Sequence, residues 1–329
     1  AGARVNFYAP TAFFTQTPPV VKTVHQTIGD GRLFRSPQIL PPMVYVAPDN
    51  PFAVPSDHVM WLYRWKFEVL AKYLAAYYQI PVIFHEDYDL LAQKHLMTLT
   101  SLIEAMSWER RLPLLSAGAV TLILAPDALS VPGVEQIATI PNLGKVPVFL
   151  YANNTAAHRL TFVTQWKMAR SDDEALGLML SPGYDPRQHV VLQASQTSSL
   201  WSFLHPVQRQ RAAFVAPREC EEPVDAVIKP ISATTLSASY AVSTNCEGYL
   251  VFADPVYPGW HVTVDGQETA LWRANYAFSA IFLPTGTHVI RRYYRPQVLL
   301  LGMVSSLLVG GVLLLIASTG WLRPPSKKM

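Results

Sequence analysis

Tyr257-Pro258-Gly259-Trp260-His261-Val262-Thr263-Val264-Asp265-Gly266 is the stretch on which the reading of this chain turns. Pro-Gly makes a tight turn, 261–264 reads as a strand, and Asp-Gly supplies the positive φ that a type I′ hairpin needs at both central positions. A partner strand is expected at 269–272. Residues 277–283 and 288–294 are expected to pair around Pro284-Thr285-Gly286-Thr287. Upstream, 234–242 alternates, with Leu236, Ala238, Tyr240 and Val242 on one face, and 249–253 follows as another strand. Short strands joined by such regular turns predict an all-β sandwich over 191–296.

The first 190 residues read differently, as an α/β domain. A short helix is expected at 20–26, a turn at Gly29-Asp30-Gly31 and a strand at 32–35. Around Pro41-Pro42 and over 48–55 the chain reads as irregular. Met60, Leu62, Trp65, Val69, Leu70, Leu74 and Tyr77 fall mostly at three- and four-residue spacings and predict one helix over 58–78. A second helix is expected at 90–108, with strands at 120–124 and 146–151. Ser171-Asp172-Asp173-Glu174 reads as an N-cap with acidic residues at the positive end of a helix running to about Leu180.

Beyond Arg295 the character changes again. Residues 298–321 carry no charge, and a stretch of about 20 apolar residues is enough to span hydrocarbon. We therefore expect a transmembrane helix over 297–322 and a short basic tail over 323–329. Arginines before it and lysines after it leave its orientation open. Gly302, Ser306 and Gly310 put small residues on one face, where other transmembrane helices are expected to pack. The whole chain is 50% hydrophobic and 15% charged, against about 25% charged in soluble proteins. It begins Ala1-Gly2 without Met or a leader, so it is expected to be the tail of a longer polytopic protein. A net charge of +3 and the lack of a basic, aromatic-interleaved stripe argue against nucleic acid.

Several side chains invite a chemical reading. Tyr257 and Trp260 could stack on a sugar ring, although a turn that drops Trp260 into the core explains them as well. Arg273 and Asn275 could contact a glycan or phosphate, or bond to the 257–260 loop, and Arg159 could be a buried charge partner. Arg291, Arg292 and Arg295 are expected to meet lipid headgroups. His85, Glu86, Asp87 and Asp89 make the densest polar cluster, but the spacing is not His-Glu-x-x-His, and capping explains it. Gly29 and Gly31 lack the third glycine of a phosphate cradle. No nucleophile elbow and no metal-ligand spacing occur, so no catalytic residue and no metal site are assigned. Cys220 and Cys246 read either as one disulfide or as two small buried hydrophobes.

The Tyr-Pro-Gly-Trp, Val-Asp-Gly, Arg-Ala-Asn and Pro-x-Gly-x-His series of 257–288, followed by an apolar helix, resembles the C-terminal part of the YfhO family. These are bacterial multi-pass membrane proteins related to family-C glycosyltransferases. Upstream, Leu150-Tyr151-Ala152-Asn153 with His158-Arg159 is similar to the family's Tyr-Glu-Asn…Pro-Arg segment, with Ala152 and His158 departing from it. The resemblance implies an extracytoplasmic region at the bacterial cytoplasmic membrane. It also implies transfer of a sugar from a polyprenyl-phosphate donor to a cell-envelope acceptor. In family-C glycosyltransferases the catalytic acidic residue lies in an early loop near the first membrane helices, to which nothing here corresponds, so the resemblance carries over no catalytic residue. A non-catalytic, membrane-anchored module binding glycan or protein is the alternative.

Overall fold

In a computed structural model, the structure describes residues 16–40, 56–71, 73–85, 93–142, 145, 147–193, 215–220 and 223–318. The stretches read from sequence as irregular, around Pro41-Pro42 and over 48–55, lie outside them, as do Glu86, Asp87, Asp89 and the expected basic tail. The chain divides into two compact units interleaved in sequence. Unit 1 takes Ala1–Ile228, Ser243–Val256 and Ala270–Thr287, and unit 2 takes Lys229–Val242, Tyr257–Thr269 and His288–Met329.

Unit 1 opens with α1 (Pro19–Thr27), β1 (Arg32–Arg35), α2 (Ser56–Glu68), α3 (Leu74–Tyr77), α4 (Lys94–Ala105) and α5 (Trp108–Ala117). Then come β2 (Val120–Ala125), β3 (Val134–Thr139) and β4 (Phe149–Asn153). These strands form one mixed sheet in the order β1-β2-β4-β3, with only the β1–β2 pair parallel. Alternation decides which side each residue serves. Leu33, Leu122 and Leu124 pack with Val20, Val24, Trp65 and Val69, whereas Phe34 and Ile123 pack with Leu99, Ile103, Leu114 and Leu115. Helices therefore cover both faces, which is why β2 reads as a nearly continuous apolar run.

The single helix expected over 58–78 is broken. Ala71 N–H reaches back to Lys66 O (2.9 Å) and Leu70 takes φ +51°, closing α2 at Glu68 before α3 restarts. The apolar spacing continues across the break because Leu70, Ala71 and Ala75 stay buried in one core.

Six strands form the second sheet of unit 1, in the order β5-β10-β14-β13-β7-β6. They are β5 (Leu160–Val163), β6 (Gln165–Ala169), β7 (His189–Gln193), β10 (Gly248–Phe252), β13 (Trp272–Ala274) and β14 (Phe278–Leu283). Between β6 and β7, α6 (Asp172–Met179) carries the parallel crossover, and Ser171 Oγ accepts Glu174 N–H at 3.1 Å as its cap. This sheet takes strands from both sides of residue 190, so it crosses the boundary expected at 190/191. The reason is pairing: β10 lies between β5 and β14, and its Tyr249 and Leu250 are fully buried there.

Unit 2 is built on a five-stranded sheet in the order β12-β11-β15-β9-β8. Its strands are β8 (Ala226–Ala233), β9 (Ser237–Thr244), β11 (Trp260–Val264), β12 (Gln267–Glu268) and β15 (Gly286–Tyr294). The turn between β11 and β12 has Asp265 at φ +51° and Gly266 at φ +82°, the signs a type I′ turn requires. The strand returning from it stops at Glu268, not at 272, because Trp272–Ala274 belongs to the other sheet. The expected pairing of 277–283 with 288–294 is likewise not formed. β14 sits between β10 and β13, while β15 pairs with β11. One expected sandwich is thus two sheets in two units.

β15 leads through Pro296 into α7 (Gln297–Ser318), 22 residues without a charge, about 33 Å long at 1.5 Å per residue. Among the described residues no helix is long and apolar enough to cross a membrane. The expected extension to 322 lies outside the described residues. A Cβ built on Gly302 or Gly310 would meet nothing within 4 Å, and Ser306 is exposed with them.

Candidate functional site

Alternation along β15 separates three arginines that stand together in sequence. Arg292 is buried, its guanidinium 4.4 Å from the Trp260 ring, which in turn meets Tyr294 at 5.3 Å. Val289, Arg291 and Arg295 are exposed on the other face, with Tyr293 half-buried among them. Of the three arginines expected to act together, only Arg291 and Arg295 share a face, because a strand turns every second side chain away.

That exposed face carries an open groove of about 470 Å³ lined by Thr263, Gly266, Val289, Arg291, Tyr293 and Arg295. Tyr293 is its fixed centre. Its ring stacks on His261 (5.4 Å between centroids, 14° between planes), and its hydroxyl donates to Glu268 Oε1 at 2.8 Å. That bond to a carboxylate is the main reason its pKa is raised. Arg291 lies 5.5 Å from the same ring. At the turn end, Asp265 Oδ1 accepts Val289 N–H (2.8 Å) and Oδ2 pairs with His288 Nδ1 (2.7 Å). The His288 bond holds the Asp265 carboxyl below its usual range. Two guanidinium forks flank a rigid aromatic face, a combination that suits a phosphate joined to an apolar or sugar-like body.

The remaining singled-out residues lie elsewhere. Asn275 is buried at φ +45°, and its side chain accepts Val191 N–H at 2.9 Å, so it holds β13 to β7. Arg273 is engaged within unit 1. Its guanidinium donates to His95 Nε2 and pairs with Asp172 Oδ1 at 3.3 Å. Gln193 also donates to that carboxylate oxygen, at 2.9 Å. Burial first, then Arg273, keeps His95 below its ordinary value, consistent with an Nε2 that accepts. Arg159 contacts Asp254 at 3.5 Å, beside a far more buried Arg32. Arg32 donates to Gly118 O at 2.9 Å, to Ala253 O and to Asp254.

Tyr257 is exposed and Trp260 half-buried. Cys220 and Cys246 are joined as a disulfide with Cα atoms 5.7 Å apart. Among the described residues no group of three His, Cys, Asp or Glu side chains could hold a metal. His261 and Glu268 were not singled out from the sequence, and Tyr293 was legible there only as one of the aromatics flanking the apolar segment, although Arg291-x-Tyr293-x-Arg295 at strand alternation was there to be read.

Residues 224–306 match the family model described as "Bacterial membrane protein YfhO". The match supports a YfhO-like assignment and membrane association for this part of the chain. It covers every strand of the five-stranded sheet, the groove and the first turns of α7. No curated protein and no solved structure matches the chain.

Proposed function

We propose that this chain is the extracytoplasmic portion of a YfhO-like polytopic membrane glycosyltransferase, which moves a sugar from a polyprenyl-phosphate donor to a cell-envelope acceptor. The chemistry belongs to membrane loops outside this chain, and the groove of unit 2 receives the lipid-linked phosphate. The observation that carries this is the coincidence of Arg291, Tyr293 and Arg295 in one groove with an uncharged helix that begins two residues later. Support for an extracytoplasmic position comes from the Cys220–Cys246 disulfide, since such bonds persist in oxidising compartments. The membrane span proposed here is the uncharged run of 297–322, which extends in sequence past the end of α7 at Ser318.

A second reading, a module that binds such a lipid without acting on it, is favoured by the state of the groove's own polar groups. Tyr293 and Asp265 are already committed to Glu268 and His288, an arrangement suited to holding a ligand.

The test is lipid binding by the detergent-solubilised full-length protein. Arg291→Gln with Arg295→Gln is expected to weaken binding of a polyprenyl monophosphate by about tenfold or more. Binding of the neutral polyprenol should be unchanged. Equal binding of both lipids by both proteins overturns the phosphate reading. Phosphate-dependent binding with no release of sugar from a polyprenyl-phosphate sugar favours the second reading.

A further inference from the structure

Two turns of unit 2 are fastened to the segment from which α7 leaves. At the β8–β9 turn, Thr234 N–H donates to Ser237 O at 2.7 Å, and Leu236 O accepts Tyr294 N–H at 2.8 Å. At the other turn, Arg295 N–H donates to Gly259 O at 2.7 Å. Gly259 sits so close that an added Cβ would lie 3.1 Å from Pro296 Cα, and its φ of +103° already excludes most side chains. The chain at 294–296 is thus held on both sides by short turns just before the helix starts.

Both turns present apolar side chains outward. Leu236 is 58% exposed and Tyr257 37%, with Ile231 equally open a few residues behind Leu236 on the edge strand. Along the helix, Leu307 is 74% and Leu314 73% exposed. Arg295 stands at the junction. Apolar tips, an aromatic with a polar end and a cation beside an uncharged helix match the layering of a bilayer surface: acyl chains, glycerol region and phosphates.

We propose that this end of the unit 2 sheet is a lipid-contacting rim. Leu236 and Tyr257 enter the interfacial zone of a phospholipid bilayer, and Arg295 stands at the level of the phosphates. The proposal rests on the reading of α7 as a membrane span, because only a helix held in the bilayer brings 294–296 to its surface. The rim fixes the height and tilt of the sheet, which a helix joined by a single proline would leave free.

The test uses the full-length protein in vesicles of phosphatidylethanolamine and phosphatidylglycerol. Cys220 and Cys246 are joined, and any cysteine outside this chain is replaced by serine, so an introduced cysteine is the reactive thiol for a polarity-sensitive fluorophore. Three variants are labelled: Leu236→Cys at the rim, Gln267→Cys at the Asp265-Gly266 turn, and Leu308→Cys in the helix. The expected result is loss of Leu236→Cys emission to lipids brominated high on the acyl chain, with Gln267→Cys reached only by aqueous iodide. If iodide reaches Leu236→Cys as readily as Gln267→Cys while Leu308→Cys is quenched by lipid, the rim is overturned and the span stands. A label at Leu236→Cys shielded from iodide but untouched by brominated lipid means protein contact, which also overturns it. Failure of lipid to quench Leu308→Cys removes the span, and the rim with it.

Discussion

Arg32 shows how much a single side chain can carry when its partners are non-local. Its guanidinium is satisfied by Gly118 O, Ala253 O and Asp254, and burial lowers its pKa more than Asp254 raises it. Arg32→Ala leaves those acceptors without a donor and is expected to cost about 2–4 kcal/mol, read as a lower urea midpoint. Nothing in Arg32-Leu33-Phe34-Arg35 announces this, because the partners lie 86 and more residues away. His95 makes a second prediction, in pH. Its folded pKa lies below the ordinary 6.5, so the unfolded chain binds the proton more readily. Its contribution is complete above pH 6.5 and is lost as the pH falls toward the folded value. His95→Gln is expected to flatten the acid side of the stability profile, measured by urea midpoints across that range.

At the scale of elements, the devices written in consecutive residues were legible and the pairings were not. Ser171 caps α6 through Glu174, as four adjacent residues foretold. Ser171→Ala should cost about 1 kcal/mol, visible as faster hydrogen exchange in 172–179. The Asp265-Gly266 turn was equally plain, and Gly266→Ala is expected to destabilise by about 1 kcal/mol because the alanine must hold φ +82°. Strand partners were another matter. β14 and β15 are separated by Pro284 and Thr285 and look like two arms of a hairpin, yet each buries its apolar side in a different sheet. Local turn chemistry fixes where a strand ends; the match of buried faces decides which strand it joins. The groove was legible in part for the same reason. Arg291 and Arg295 were visible as charges, while Glu268 and His261 come from neighbouring strands.

The whole molecule adds constraints that neither residues nor elements display. The disulfide ties the stretch before β8 to the entry of β10, where Tyr249 Oη also donates to Val215 O at 2.9 Å. Burial pushes that phenol up to about 12. Cys220→Ser with Cys246→Ser closes no loop in the unfolded chain and is expected to lower stability by about 3 kcal/mol, measured by denaturant unfolding of unit 1.

The position of β15 has one more consequence, for synthesis. It is the central strand of the five, with β11 and β12 on one side and β9 and β8 on the other, yet it is the last of them to leave the ribosome. Until it emerges, the other four are two separate hairpins with unpaired inner edges, and hairpins alone are marginally stable. The next segment to emerge is α7. Completion of the sheet and delivery of the apolar helix therefore fall within one short interval, so a pause while β15 is still inside the ribosome leaves two open edges and a pause after β15 has emerged leaves none of the sheet waiting.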